Sequence, residues 1–111
     1  MATATFYIKQ NDTLPVIKAV LKDASGNIVD LGNASGIRFH LSTSKNVNLI
    51  DAEAGMEGNG STGVALYNWV IGNTALAGSF KAEFEVTFTG GGIETFPNNS
   101  FISVVIEKEL A

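Results

Sequence analysis

Ser79-Phe80-Lys81-Ala82-Glu83-Phe84-Glu85-Val86-Thr87-Phe88 is the stretch whose reading decides the fold class. Phe80, Ala82, Phe84, Val86 and Phe88 fall at every second position, with Lys81, Glu83, Glu85 and Thr87 between them. A strand sends successive side chains to opposite faces, so this segment has one apolar and one wet side. On a helix the same phenylalanines would scatter around the cylinder. Working outward, Ile37, Phe39 and Leu41 alternate with Arg38, His40 and Ser42. Residues 16–22 alternate more weakly, as if partly buried on both faces. Val64, Leu66 and Val70 share one face of residues 64–71, and Tyr67, Trp69 and Ile71 share the other. Ile102, Val104 and Ile106 mark a last strand, residues 5–8 a first one, and residues 47–52 a weaker one.

Turn-forming residues separate these runs. Asp23-Ala24-Ser25-Gly26-Asn27 reads as a hairpin connection, as do Gly58-Asn59-Gly60 and Gly90-Gly91-Gly92, the last leading into Ile93–Phe96. Gly32-Asn33-Ala34-Ser35-Gly36 reads as a loop. Asn73-Thr74-Ala75-Leu76-Ala77 reads as a single helical turn capped by Asn73. Seven to nine short strands with frequent turns predict an all-β chain, a single antiparallel sandwich domain over residues 1–111. Leu76-Ala77-Gly78-Ser79-Phe80-Lys81-Ala82 favours the Ig-like layout. Such domains place a small residue and then Tyr at this corner; here Phe80 holds the aromatic place and Ala82 the place of the Cys.

Composition excludes several function classes. The 111 residues include 7 Lys and Arg against 11 Asp and Glu, a formal charge of −4, and only 16% are charged. An ordinary soluble domain has roughly 25%. With no cysteine there is no disulfide framework, thiolate metal site or cysteine nucleophile. A single Arg and weak acidity argue against nucleic-acid binding, which needs clustered cations. The opening Met1-Ala2-Thr3-Ala4-Thr5 has no basic start or apolar run and does not read as a signal peptide. The longest apolar runs fall far short of the roughly 20 residues that span a bilayer, so no membrane insertion is expected.

Searching for chemistry yields little. His40 is the lone histidine, on the outward register of its strand beside Arg38, with no orienting partner legible in sequence. Glu83 and Glu85 share a strand face, as do Asp51 and Glu53, a spacing that suits acid–base work. With Lys81 as neighbour, Glu83 and Glu85 read instead as a solvated sheet face or polar contact surface. Asp23 to Asp30 resembles a calcium loop but lacks a later bidentate Glu and sits between strands. No catalytic, cofactor-binding or metal residues are assigned, and the chain is read as no enzyme. Tyr67 and Trp69 form either an exposed aromatic patch for partners or sugar stacking, or inward core aromatics. The candidate interaction surface is therefore Tyr67, Trp69, Lys81, Glu83 and Glu85.

A series of spaced pieces carries a family resemblance. They are Ile8-Lys9-Gln10-Asn11-Asp12-Thr13-Leu14-Pro15, Leu21-Lys22-Asp23-Ala24-Ser25-Gly26-Asn27-Ile28-Val29-Asp30-Leu31, Ile37-Arg38-Phe39-His40-Leu41 and Gly63-Val64-Ala65-Leu66-Tyr67-Asn68-Trp69. The series ends with the segment from Asn73 to Val86 and with Glu94-Thr95-Phe96-Pro97. In order and spacing the chain resembles the N-terminal-type domain of phage baseplate upper proteins, the BppU-like family of tailed-phage virion proteins. The resemblance implies an Ig-like sandwich without catalytic residues, made in the host cytoplasm and assembled into the virion. It implies docking to other tail, baseplate or fibre proteins, in repeated copies within a symmetric assembly. The chain stops at Ala111 without the family's stalk, which favours a small adaptor of the tail tip. A capsid decoration or neck protein and a host-surface carbohydrate-binding module are the alternative expectations.

Overall fold

A computed structural model describes residues 5–110; Met1, Ala2, Thr3 and Ala4, part of the opening read above for a leader, lie outside them. The described residues form nine strands, in chain order β1 (Thr5–Lys9), β2 (Ile17–Val20), β3 (Ala34–Thr43), β4 (Asn48–Glu53), β5 (Gly55–Met56), β6 (Val64–Tyr67), β7 (Gly78–Phe88), β8 (Ile93–Phe96) and β9 (Ile102–Glu107). The larger sheet has the order β1-β9-β7-β3-β4, with β8 also paired to β7; the smaller has the order β2-β6-β5. Most pairs are antiparallel, but β1 and β9 run parallel, Phe6 opposite Val104 and Ile8 opposite Ile106. The two sheets enclose one apolar core, and the fold is an Ig-like β-sandwich.

The alternation in β7 has the predicted consequence. Phe80, Ala82, Phe84 and Val86 are buried, and Lys81, Glu83 and Glu85 point to the outer face with partial exposure. Phe39, opposite Phe84 in the register, joins the sheets. Its ring stacks on Tyr67 at 4.5 Å, meets Trp69 edge-on at 5.6 Å and touches Phe84 at 5.2 Å. Burying a ring of this size stabilises a fold by about 1.5–3 kcal/mol, with a further increment from the aromatic geometry.

Turn chemistry explains the connections. The Asp23 carboxylate accepts from the N–H groups of Ser25 and Asn27, each at 2.9 Å, closing the turn that follows β2. Those bonds occupy the side chain that made this loop resemble a calcium site.

Three expectations about local structure fail, each for a local reason. The run 64–71 is a strand only as far as Tyr67, after which the chain turns at Val70, Ile71 and Gly72. Gly72 has φ +98°, which a side chain would oppose, and the Asn73 N–H bonds back to the Val70 carbonyl at 2.9 Å. No helical turn follows, because the Asn73 side chain is spent upstream. Its Oδ1 accepts from the Val70 N–H at 2.7 Å and from the Tyr67 hydroxyl at 2.8 Å. The 3₁₀ turn of the described residues lies instead at Leu31–Asn33, where Asp30 accepts from the Gly32 N–H at 2.8 Å. The rest of that expected loop, from Ala34, already belongs to β3.

Candidate functional site

Tyr67 and Trp69 do not form a surface. They are 4% and 5% exposed, on the inner side of the smaller sheet, while Val70 on the opposite register is 61% exposed. The larger rings win the interior because Phe39 offers them a stacking partner and each polar tip finds an acceptor. The Trp69 Nε1–H donates to the Pro15 carbonyl at 3.1 Å, and the Tyr67 hydroxyl donates to Asn73. Burial raises the Tyr67 phenol above its ordinary value of 10.0. A sugar-stacking platform made of Tyr67 and Trp69 is thereby removed.

Lys81, Glu83 and Glu85 do lie together, on the outer face of the larger sheet, and the register adds residues that sequence could not bring to them. Arg38 stands opposite Glu53 on β4 and Glu85 on β7; His40 stands opposite Asp51 and Glu83. A central basic column is thus flanked by two acidic ones. The Arg38 Nε donates to Asp51 Oδ1 at 2.7 Å, and its Nη2 donates to the Asp51 carbonyl at 2.8 Å. That hydrogen bond, more than simple charge proximity, raises Arg38 and lowers the Asp51 carboxyl from its ordinary 3.8. The His40 ring lies between two carboxylates, Nδ1 at 3.0 Å from Glu83 Oε2 and Nε2 at 3.3 Å from Asp51 Oδ1. Both near neighbours of the imidazole are acids, so the arrangement has an electrostatic use and no activated hydroxyl. Lys81 turns away, its Nζ 3.3 Å from Asn46 Oδ1 and 5.3 Å from the Phe101 ring centroid.

A second feature left almost no mark on the sequence. On the flank where β2 and β1 face each other, the sandwich is open, leaving a groove of about 700 Å³. Its apolar lining includes Phe6, Ile17, Ala19, Leu21, Phe96 and Ile102, and Asn98 and Asn99 stand at its wall. Among the described residues, strand β2 pairs with β6 on one side only. The Leu21 N–H donates to the Gly63 carbonyl at 2.7 Å, which fixes the alternation: Ile17, Ala19 and Leu21 turn their backbone groups toward β6. The N–H and C=O of Lys18 and Val20 consequently face the open flank. The weak alternation of residues 16–22, with apolar side chains on both faces, was the only trace of this in the sequence.

Sheet order, parallel β1–β9 pairing and the aromatic core define an Ig-like sandwich as the class. No family model matches the chain, and no curated protein does. Among solved structures it is similar to CopC from Methylosinus trichosporium OB3b, with a TM-score of 0.54 and 9% identity. The match covers 98% of this chain and 89% of that one. At that identity the likeness establishes the fold.

The expectation of a phage tail, baseplate, neck or capsid component is overturned here. The structure matched is that of CopC, and nothing in the comparisons leads to virion proteins. Each of the pieces quoted for the resemblance is a turn-and-strand pattern, which speaks to the fold and not to a role.

The described residues bring no His, Cys, Asp or Glu cluster together as a metal site either. His40 is the only histidine, and cysteine is absent. Asp51 and Glu83 sit against different nitrogens of the His40 ring, so the three donors face apart instead of converging on one point. Among the described residues no group of three His, Cys, Asp or Glu side chains is placed to hold a metal ion.

Proposed function

We propose that this chain is a non-catalytic binding module that takes up an extended polypeptide segment along the open flank, adding it as a strand to β2. The observation that carries the reading is the coincidence of a bare strand edge with an apolar groove. The backbone groups of Lys18 and Val20 supply a ladder for pairing, and the groove beside them is floored by buried Ile17, Leu21, Phe96 and Ile102. Strand addition works this way in general, with main-chain hydrogen bonds giving affinity and pockets for alternate side chains giving selectivity. A purely apolar small molecule would fill the groove and leave the strand edge unpaired. A peptide satisfies both, each backbone bond contributing about 0.5–1.5 kcal/mol net.

The test is selection of random dodecapeptides for binding to the chain, followed by amide chemical-shift mapping. Selected peptides should carry apolar residues at every second position and perturb the amides of Lys18, Val20 and Asn98. Methylating alternate backbone nitrogens of such a peptide should abolish binding, as should Ala19→Trp in the protein. Peptides that bind through a face remote from β2, or that tolerate backbone methylation at every position, would refute the reading.

A further inference from the structure

The Asp51–His40–Glu83 row lies outside the groove and is used by neither the core nor the proposed strand addition. Its geometry places a demand on the proton count of one ring. Each ring nitrogen of His40 faces a carboxylate oxygen, at 3.0 Å to Glu83 on β7 and 3.3 Å to Asp51 on β4. Carboxylates only accept hydrogen bonds, and a neutral imidazole has one N–H. Both contacts are therefore hydrogen bonds only when the ring carries two protons. With one, a lone pair is set against a carboxylate and one contact must open.

The surroundings decide which. From β7, the charged groups near the ring are Glu83, Lys81 and Glu85. Lys81 is directed to Asn46 and Phe101, and Glu85 stands opposite Arg38. From β4 they are Asp51 and Glu53, the latter also opposite Arg38. On β3 itself Arg38 already holds Asp51 through its carboxylate and its carbonyl. Asp51 has another cation and keeps it. Glu83 has only His40 at hydrogen-bond distance among the described residues, and at the shorter distance. A single remaining proton belongs on Nδ1, facing Glu83.

We infer that His40 is a proton-dependent clasp that ties edge strand β4 to central strand β7 across β3. The doubly protonated ring holds both carboxylates. Release of the Nε2 proton to solvent frees Asp51 from the ring, leaves the Nδ1–H on Glu83 and loosens β4 while the rest of the larger sheet stays intact. The side chain is 20% exposed, open enough to exchange protons with water and enclosed enough to keep its orientation.

The test is long-range ¹H–¹⁵N spectroscopy of the His40 ring from pH 4 to pH 9, with amide-exchange protection factors for β4 measured on either side of the ring's titration. Above it, wild type should hold its proton on Nδ1, and Glu83→Ala should move the proton to Nε2. Protection of the β4 amides bonded to β3 should fall about two- to fivefold on deprotonation, the size of an exposed ion pair. Amides at the β1–β9 contact should not follow. In His40→Asn the pH dependence of β4 protection should vanish. A neutral ring with its proton on Nε2 in wild type, or β4 protection unchanged across the titration, would overturn the clasp. Since Glu83 is 42% exposed, its truncation tests the contact without emptying the core.

Discussion

Two edge strands of this sandwich, β4 and β2, are finished in opposite ways. β4 carries Asp51 and Glu53 along its outer face, and Asp51 is bonded to Arg38 and faces His40. Charged side chains on an edge deter the pairing of another chain, and here they are fixed in place by the neighbouring strand. β2 has Lys18 linked to Glu57 at 2.7 Å on its outer face, but its inner face borders an apolar groove. An edge guarded by ions and an edge floored by core residues teach different things. On the function proposed above, the first is guarded against association and the second is open to it.

The largest effect expected from breaking this contrast comes from the residue that holds the smaller sheet, and with it β2, against the larger. Phe39→Ala removes the ring that touches Tyr67, Trp69 and Phe84. It should cost about 3–5 kcal/mol in denaturant unfolding. Because β4 is held to β3 by its own ladder, amide protection at β2 and β6 should fall more than protection at β4. Equal losses in both would mean that the two edges share one cooperative unit.

Proline separates the two sides of β2. At Ala19 the N–H faces β6, so Ala19→Pro breaks the ladder and should cost about 3 kcal/mol or more. At Lys18 the N–H faces the open flank, so Lys18→Pro should change stability by less than about 1 kcal/mol while abolishing capture of an extended peptide. Gly63→Ala tests the same strand from its partner. Gly63 has φ +69°, and a Cβ there would come within 2.5 Å of Ile28 Cγ2 and 2.7 Å of the Val29 carbonyl. The Leu21 bond to Gly63 would be displaced, with a cost of roughly 3 kcal/mol by thermal or chemical unfolding.

Tyr67 gives a smaller effect and a sign. Its phenol is raised in the folded chain by burial, so the neutral form is favoured there. That contribution is complete below the ordinary value of 10.0 and is lost as pH rises through the raised value. Tyr67→Phe should cost about 1 kcal/mol at neutral pH, since the Asn73 Oδ1 keeps its bond from Val70. Alkaline titration of stability should then be flatter in the variant than in wild type.

How much of this was open to sequence reading follows from the range of the interactions. β7 and β3 were legible because period-two alternation of large apolar residues is a local signal, visible within ten residues. The inner placement of Tyr67 and Trp69 was not, because residues 64–71 are apolar on both faces and the choice depended on Phe39. The Asp51–His40–Glu83 row needs the register of three strands, with His40 and Glu83 separated by 43 positions. The groove is more remote still, since it exists only where the edges of two sheets fail to close. Lys81, Glu83 and Glu85 were placed correctly on one face by parity, but parity could not set Arg38 opposite Glu85 or His40 opposite Glu83.

The smallest expected effect is the one that probes the guarded edge directly. Asp51 is held below the ordinary carboxylate value, chiefly by its hydrogen bond from Arg38. A group lowered in the folded state stabilises it fully above the unfolded value of 3.8, and that stabilisation is lost as pH falls through the lowered one. In Arg38→Gln the link is gone, so the difference in stability between variant and wild type should be present at neutral pH and shrink on acidification below 3.8. Both side chains are well exposed, at 43% and 53%, so the difference should also shrink in 1 M salt, where screening acts over about 3 Å. The sharper readout is association. If the ions guard β4, Arg38→Gln combined with Asp51→Val should promote salt-insensitive self-association through β4, seen as a concentration-dependent sedimentation shift. A double variant that stays monomeric at millimolar concentration would show that the charge row does not protect this edge, and the contrast with β2 would then rest on the groove alone.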